Sequence, residues 1–323
     1  MTVTKDGYAP LPGYFANVLD SIPELKSPML PEWELIEFDP LLDSTDITVD
    51  EWTKIGRLIE SNKDRFDGFV VLHGTDTMAY TASALSFMLE GLDKPVIMTG
   101  SQIPFCELRS DARDNLISSL LIAGSAPLSE VCLFFGGRLM RGNRSTKVSA
   151  DGMNAFDSPN FPLLAKAGIH INYNRELFLP RGSGLHLVPF VNNIPIAVLK
   201  IFPGIQFDLF DGILTERLRG LVLEAFGSGN VPAYDKALLP LIRKAVDNGT
   251  VVTVCTQCLH GTVDIGAYAS SAALKQNGVV SGFDMTVESA VAKLYYLYSK
   301  GCKNREIIER MPENLRGELT VNL

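Results

Sequence analysis

The chain has 323 residues, which is too long for one ordinary domain and predicts two. Hydrophobic residues make up 46% and charged residues 20%, the balance of a soluble globular protein with sizeable cores. The net charge of -8 disfavours nucleic acid and anionic membranes as default partners.

Membrane insertion and secretion are also disfavoured by the sequence. No apolar run approaches the ~18 residues of a membrane span, and the first residues lack a basic start followed by an apolar core. Five cysteines are an odd number that does not suggest a disulfide framework. We therefore expect a cytoplasmic, reducing location.

The chain opens with polar, turn-forming residues, among them Gly7, Pro10 and Gly13. A doubly wound domain usually begins with a strand near the middle of its sheet. No buried strand is predicted before these residues. Either the fold starts elsewhere, or a segment that normally lies upstream is missing.

Strand and helix patterns then alternate in the first half of the chain. Apolar runs at 68–72, 95–98 and 131–135 each lead into glycine-containing loops, and helical patterns cover 78–89 and 111–123. Apolar runs without strict alternation are typical of strands buried on both faces. The pattern predicts an α/β fold with a parallel doubly wound sheet in an N-terminal domain, residues 1–180.

The alternation breaks between residues 172 and 195, where glycines, prolines and an Asn-Asn pair accumulate. We place a linker at residues 181–195 and a smaller α/β C-terminal domain at residues 196–323. Its predicted strands are 196–201, 220–223, 251–255 and 279–281, and its predicted helices are 236–247 and 287–299.

The sequence HGTDT at residues 73–77 follows the first predicted strand. Ligands of parallel α/β sheets bind beyond the carboxyl ends of the strands, so a glycine, two hydroxyls and a carboxylate stand at a place suited to binding. An alternative is that Asp76 or Thr77 only caps the following helix. The pattern leaves both interpretations open.

Other catalytic signatures are absent from the sequence. It has no Gly-x-Ser-x-Gly elbow, no P-loop and no closely spaced histidines for a metal. Cys255 and Cys258 form a CxxC pair without a second ligand pair or a thioredoxin-like context, so we interpret them as buried thiols.

A threonine hydroxyl needs a base, and Lys147 is the candidate. It follows Arg141 and Arg144, whose charges would lower the pKa of a buried lysine. The same basic residues also fit an ordinary solvated loop, which the pattern alone favours.

Residues 67–80 (DGFVVLHGTDTMAY) resemble an active-site signature of bacterial-type asparaginases, and further blocks place the resemblance with the cytosolic type I enzymes. These blocks, which span nearly the whole chain, are 42–46 (LDSTD), 99–104 (TGSQIP), 141–147 (RGNRSTK), 256–258 (TQC), 282–288 (GFDMTVE) and 314–319 (NLRGEL).

The resemblance implies a threonine-based amidohydrolase that converts L-asparagine to L-aspartate and ammonia. Thr75, Asp76 and Lys147 would be catalytic, with Lys147 as base or proton relay and Asp76 also holding the substrate ammonium. Ser44 and Thr45 would bind the α-carboxylate of the substrate, with Asp43 beside them. Ser101 would lie where backbone groups position the side-chain amide of the substrate.

Further expectations follow from the same resemblance. Tyr8 matches a tyrosine of the mobile lid, and Asn230 and Tyr268 fall in regions that reach a neighbouring subunit's site. The family implies a homodimer or homotetramer, a small-molecule substrate, and neither a metal nor an organic cofactor.

The family's first signature, a strand followed by a Thr-Gly-Gly-Thr-Ile loop that carries the acylated threonine, does not occur in the sequence. The intact blocks elsewhere favour a true start some fifteen residues upstream over a truncated or inactive protein. Without that loop we expect negligible asparaginase activity and poor stability, because the neighbours of a lost central strand expose unpaired backbone groups.

A second departure concerns regulation. Some type I enzymes bind asparagine at an allosteric site through an arginine, and Glu224 stands in its place here, with Thr146 and Cys258 at other contact positions. A reversed charge would repel the effector carboxylate. We expect weak or altered cooperativity.

Alternatives to an asparaginase stay open at this stage. An inactive homologue that binds amino acids is one, and a related glutaminase is another. A subunit that acts on charged tRNA would need an extra domain and a basic face, which the sequence lacks, and a lysophospholipase would need a lipid-accommodating surface.

Overall fold

A computed structural model describes residues 2–4, 7–9, 13–232, 237–266 and 269–320 of the chain. The chain forms two compact units, Met1–Leu187 and Val188–Leu323. The division falls inside the segment 181–195 that the sequence marks as a linker, and the domain bounds 1–180 and 196–323 stay predictions. No helix of the described part is both long and apolar enough to cross a membrane.

The first unit is built on a six-stranded sheet. Its helices are α1 (Tyr14–Asp20), α2 (Val49–Ser61), α3 (Met78–Met88) and α4 (Ala112–Ser125). Its strands are β1 (Thr2–Thr4), β2 (Gly7–Ala9), β3 (Phe69–Leu72), β4 (Leu89–Glu90), β5 (Val96–Thr99), β6 (Val131–Phe135), β7 (Arg138–Arg141), β8 (Thr146–Lys147), β9 (Phe156–Asp157), β10 (Ala165–Ala167), β11 (Ile171–Tyr173) and β12 (His186–Leu187).

The strand order of the main sheet is β11-β10-β7-β6-β5-β3. The pairs β3–β5 and β5–β6 are parallel, which confirms the three predicted strands, whereas β7, β10 and β11 add antiparallel. The change of direction occurs at Gly136 and Gly137, which both have positive φ, 56° and 73°. Two such residues form the tight turn of a β-hairpin, because the twist of that turn matches the twist of the strands.

Helices cover both faces of the parallel strands, as a doubly wound sheet requires. Both α3 and α4 pack on β5 and β6. On the α4 side, Ile97, Cys132 and Phe134 belong to one buried cluster, whereas Met98 and Leu133 point to the opposite face and are also fully buried. The parallel strands therefore hold their carboxyl-terminal loops on a rigid base.

Within the described residues, β3 forms one edge of this sheet, and Leu72 at its end is 40% exposed.

The second unit contains a four-stranded, fully parallel sheet, β13 (Ile196–Lys200), β14 (Gly220–Ala225), β15 (Val251–Thr256) and β16 (Val280–Ser281), in that order. Its helices are α5 (Leu238–Asp247), α6 (Ala269–Gln276), α7 (Val287–Ser299) and α8 (Asn304–Arg310). Leu223, Val254 and Ile242 lie in one buried cluster between this sheet and α5. The smaller α/β unit predicted from the sequence is confirmed.

Candidate active site

The loops after β3 and β5 lie side by side, as the parallel pairing of these strands requires. The His73 N–H donates to the Thr99 carbonyl over 2.9 Å, just beyond the paired residues. A Cβ on Gly100 would lie 2.2 Å from the His73 carbonyl oxygen, so the two loops can approach only because residue 100 is a glycine. This contact brings the HGTDT run next to the loop that contains Ser101.

The HGTDT run does not serve as a simple helix cap. Thr77 occupies the N-cap position of α3 but makes no side-chain cap hydrogen bond. Its hydroxyl donates instead to the Ser44 carbonyl over 2.6 Å, and Asp76 bonds to Lys147. The capping interpretation is therefore wrong for the side chains of both residues.

Lys147 contacts two polar side chains of the run, Thr75 and Asp76. Its Nζ donates to Thr75 Oγ1 over 2.9 Å and to Asp76 Oδ1 over 2.7 Å, across about 70 residues of sequence. The lysine side chain is 21% exposed, and the aspartate side chain is 59% exposed. The geometry combines a hydroxyl, an ammonium and a carboxylate, with the carboxylate open to a ligand.

The arginines before Lys147 are buried, which overturns the interpretation of a solvated basic loop. Arg141 is 4% exposed and pairs with Glu130, whose Oε2 lies 2.7 Å from its Nε. Arg144 is 2% exposed, donates to the Asn160 carbonyl over 2.7 Å, and lies over the Phe161 ring. Both guanidinium groups anchor the loop, because a buried charge is tolerated only with such partners.

The predicted carboxylate-binding loop packs directly on the HGTDT run. A Cβ on Gly74 would lie 2.4 Å from Ser44 Oγ, so this glycine permits the close approach of Ser44, which is 5% exposed. Asp43 Oδ1 accepts from the Thr45 N–H over 3.0 Å and from the Thr45 hydroxyl over 2.9 Å. Asp43 thereby fixes the turn that contains the other two residues.

His73 joins a chain of hydrogen bonds that sequence reasoning missed. Trp52 Nε1 donates to Thr81 Oγ1 over 3.0 Å, Thr81 Oγ1 lies 2.9 Å from His73 Nε2, and His73 Nδ1 lies 2.7 Å from the Gly74 carbonyl oxygen. A neutral imidazole with its proton on Nδ1 satisfies all three contacts, because the Thr81 hydroxyl then donates to Nε2. The chain fixes the peptide just before Thr75.

Burial lowers the pKa of His73, and the bond to Gly74 opposes this shift less strongly. The unfolded chain, with an ordinary histidine pKa of about 6.5, takes up a proton that the folded imidazole resists. The stability that depends on neutral His73 is therefore present above about pH 6.5 and is lost as the pH falls below that value. The free energy of unfolding of His73→Asn is expected to change less between pH 7.5 and pH 5 than that of the wild type.

Urea unfolding followed by circular dichroism measures this difference. His170→Asn is the matched control, because His170 is exposed and its variant is expected to follow the wild-type pH dependence. Parallel curves for the wild type and His73→Asn would contradict the assignment.

The remaining predicted residues lie in different places. Ser101 follows β5, and its neighbour Gly100 approaches His73 of the HGTDT run. Asn230 lies in the second unit, in a turn where its N–H donates to the Phe226 carbonyl over 2.8 Å. Tyr8 lies in β2, and its side chain and the whole of Tyr268 fall outside the described residues.

The CxxC pair is split by its environment. Cys255 is fully buried in β15, and burial raises the pKa of its thiol to about 12. Cys258 is exposed, so the prediction of a buried thiol is correct for Cys255 and wrong for Cys258. No group of three or more His, Cys, Asp or Glu side chains in the described part of the chain could hold a metal ion.

Glu224 contacts neighbouring residues of the second unit. Its Oε1 lies 3.5 Å from Lys200 Nζ on the neighbouring strand, in register with it. Gln257 donates to the backbone carbonyls of Glu224 and Ile201 over 2.8 and 2.6 Å. The position is thus negative and partly neutralised by Lys200.

The chain matches the family models of a known class of proteins. The family model of the N-terminal domain of asparaginase matches residues 1–179, and that of the glutaminase/asparaginase C-terminal domain matches residues 195–311. The chain therefore belongs to the asparaginase/glutaminase family, and the resemblance inferred from the sequence blocks is confirmed.

Individual relatives are similar over almost the whole chain. L-asparaginase 1 of Escherichia coli K12 is 48% identical over 320 residues, which cover 99% of this chain and 94% of that protein. The crystal structure of L-asparaginase I from Vibrio cholerae matches with a TM-score of 0.90 and 45% identity, over 99% of this chain and 95% of that one. The 60 kDa lysophospholipase of Mus musculus is 45% identical over 90% of this chain but only 51% of that protein.

Proposed function

We propose that the chain is an L-asparagine amidohydrolase (EC 3.5.1.1) that forms L-aspartate and ammonia through a threonine-based mechanism. The observation that carries this proposal is the convergence of Lys147 Nζ on Thr75 Oγ1 and Asp76 Oδ1, at 2.9 and 2.7 Å. Similarity to L-asparaginase 1 of Escherichia coli along nearly the entire chain supports the same activity.

The three side chains supply what amide hydrolysis needs from a protein. A hydroxyl must gain nucleophilic character or transmit a proton, and the departing ammonia must receive one. Lys147 lies within hydrogen-bond distance of the Thr75 hydroxyl and is the base or proton relay. Asp76 orients the ammonium of Lys147, and its exposed face binds the ammonium of the substrate.

Recognition of the rest of the amino acid is assigned to the neighbouring loops. Ser44 and Thr45, on the turn fixed by Asp43, bind the α-carboxylate, and the close approach of Ser44 to Gly74 supports this role. The loop of Ser101 positions the side-chain amide. Tyr8 is assigned to the mobile lid, and Asn230 to a region that reaches the substrate site of a neighbouring subunit.

The direct test is the release of ammonia and L-aspartate from L-asparagine by the purified protein, together with calorimetry against L-aspartate. Stoichiometric formation of both products supports the proposal. Binding without product formation would favour an inactive amino-acid-binding homologue, and the absence of both would contradict the proposal.

Regulation by asparagine is expected to be weak, because Glu224 places a carboxylate where a binding arginine is expected in some type I enzymes. The Lys200 ion pair leaves the carboxylate in place and 16% exposed as a side chain. Initial rates are therefore expected to follow a hyperbolic dependence on asparagine concentration, and a sigmoidal curve would contradict this expectation. The control Lys200→Met removes the neutralising charge and is expected to leave the curve hyperbolic.

The chain is further proposed to act in the cytoplasm as a homodimer or homotetramer. Light scattering of the purified protein tests the assembly, and fractionation of cells tests the location. A monomer with full activity would contradict the proposed assembly.

A further inference from the structure

Three side chains at the start of α4 form hydrogen bonds to the loop that contains Ser101. Ser110, Asp111 and Asn115, here called the loop clamp, bond to backbone groups of residues 100–103. The family resemblance assigns the amide of the substrate to this loop but gives no role to the clamp.

Asp111 holds the middle of the loop. Its Oδ2 accepts from the Gln102 N–H over 3.1 Å, and its Oδ1 accepts from the Ile103 N–H over 3.0 Å. Asp111 is the N-cap residue of α4, yet its side chain makes no cap hydrogen bond to that helix. Carboxylates at this position ordinarily cap the helix, so here the carboxylate serves the loop instead.

Ser110 takes over part of the capping and binds the far side of the loop. Its Oγ accepts from the Ala112 N–H over 3.2 Å and donates to the Ile103 carbonyl over 2.8 Å. Both backbone groups of Ile103 are thus bonded to side chains of the clamp.

Asn115 connects the ends of two strands. It is 3% exposed, and its amide nitrogen donates to the Gly100 carbonyl over 2.9 Å and to Asp111 Oδ2 over 3.2 Å. Its amide oxygen accepts from the Gly136 N–H over 3.2 Å. Gly100 follows β5 and Gly136 follows β6, so this one buried side chain fixes the spacing of both strand ends.

The clamp thereby limits how far Ser101 can move relative to Thr75. Gly100 is pressed against the His73 carbonyl on one side and bonded to Asn115 on the other. A loop bonded to the clamp on both sides of Ser101, at Gly100 and at Gln102, presents the amide subsite at a fixed distance from the catalytic hydroxyl. A substrate longer by one methylene then places its amide wrongly, and a misplacement of about 1 Å can cost about a hundredfold in rate.

We infer that Ser110, Asp111 and Asn115 are positioning residues that set the preference for asparagine over glutamine by holding the Ser101 loop. The inference rests on the proposed function, because it concerns the amide subsite of that reaction. The clamp residues touch the loop and not the reacting atoms.

Asp111→Asn is the main test, because it preserves size while removing acceptors. An asparagine side chain has one acceptor oxygen, whereas Asp111 accepts from three N–H groups, so at least one loop bond is replaced by a facing pair of donors. The ratio of kcat/KM for asparagine to that for glutamine is expected to fall about tenfold. Asn115→Ala is expected to lower it further, and Ser110→Ala to lower it less.

Asp114→Asn is the matched control. Asp114 lies in the same first turn of α4, is exposed, and loses the same charge, so this variant is expected to keep the wild-type ratio. A ratio is insensitive to the fraction of folded enzyme, so a clamp that merely stabilised the fold would leave it unchanged. If Asn115→Ala does not fold, Ser110→Ala still tests whether loss of a clamp bond lowers the ratio.

Calorimetry with L-aspartate and L-glutamate separates the two proposals. If the wild type binds these products but releases no ammonia, the proposed function fails, and the ratio of the two dissociation constants still tests the clamp. The inference is overturned if folded Asp111→Asn and Ser110→Ala keep the wild-type ratio, if Asp114→Asn lowers it equally, or if the wild type shows no preference.

Discussion

Lys147→Met is expected to lower kcat for asparagine about a thousandfold, within the range of general acid–base catalysis. The variant removes the only group of the described site that lies within hydrogen-bond distance of both Thr75 Oγ1 and Asp76 Oδ1. Because the lysine is proposed to move a proton and not to bind the substrate, KM is expected to change much less than kcat. Steady-state ammonia release, with circular dichroism to verify folding, measures the effect.

Three further variants control for the loss of a lysine elsewhere and for the role of the Thr75 hydroxyl. Lys166→Met removes an exposed lysine from β10 and is expected to retain full activity. Thr75→Ser keeps the hydroxyl that Lys147 contacts and is expected to retain far more activity than Thr75→Val. If Lys147→Met raised KM and left kcat unchanged, the lysine would be a binding residue and the proposed proton relay would be wrong.

The strands and helices next to the site could be predicted because their signals are local. The parallel strands and the helices α3 and α4 begin and end within a few residues of the predicted bounds, since apolar runs interrupted by glycine and small polar residues mark each strand end. The helix α2 is not among the predicted elements, although the sequence contains its start signal, because Thr48 and Glu51 form a capping box.

The antiparallel half of the main sheet is not among the elements that the sequence predicts. The sequence predicts a loop at Gly136-Gly137 after a strand, whereas the two positive φ values turn the chain back into β7. A pair of glycines between apolar runs is a known hairpin signal, but the alternation of strands and helices before it favoured a parallel continuation. Local turn geometry prevailed over the pattern of the preceding segment.

Long-range contacts of the site could not be derived from residue patterns alone. Lys147 was selected by elimination and by family resemblance, because no pattern states that it meets Thr75 from 72 residues away. The hydrogen-bond chain from Trp52 to His73 and the burial of Arg141 and Arg144 likewise depend on tertiary packing. A charged residue in a loop has the same local sequence whether it is solvated or buried.

The segment 314–319, recognised in the sequence only as a family feature, has a structural role in the second unit. Lys293 Nζ lies 2.6 Å from Glu318 Oε1, and both side chains are fully buried. The same ammonium donates to the carbonyls of Met311 and Glu313, while Glu318 accepts from the Leu315 and Arg316 N–H groups. The ion pair therefore fastens the end of the described chain onto α7.

Lys293→Met is expected to lower the free energy of unfolding of the protein by about 3–5 kcal/mol, because it leaves a buried carboxylate without its cation. Glu318→Gln is also expected to be destabilising, because it leaves the buried Lys293 ammonium without its anion, and its amide oxygen accepts fewer backbone N–H groups than the carboxylate does. Urea unfolding followed by circular dichroism measures both variants.

Arg305→Met is the matched control for the loss of a cation from an ion pair. Arg305 and Glu309 are exposed, with side-chain fractions of 90% and 60%, and such pairs contribute at most about 0.5 kcal/mol. A similar small loss for Lys293→Met would mean that water reaches Glu318, and the buried pair would then not fasten this segment. The expected result is a large loss in the free energy of unfolding for Lys293→Met and a small one for Arg305→Met. This difference would show that the Lys293–Glu318 pair stabilises the 314–319 segment because it is buried.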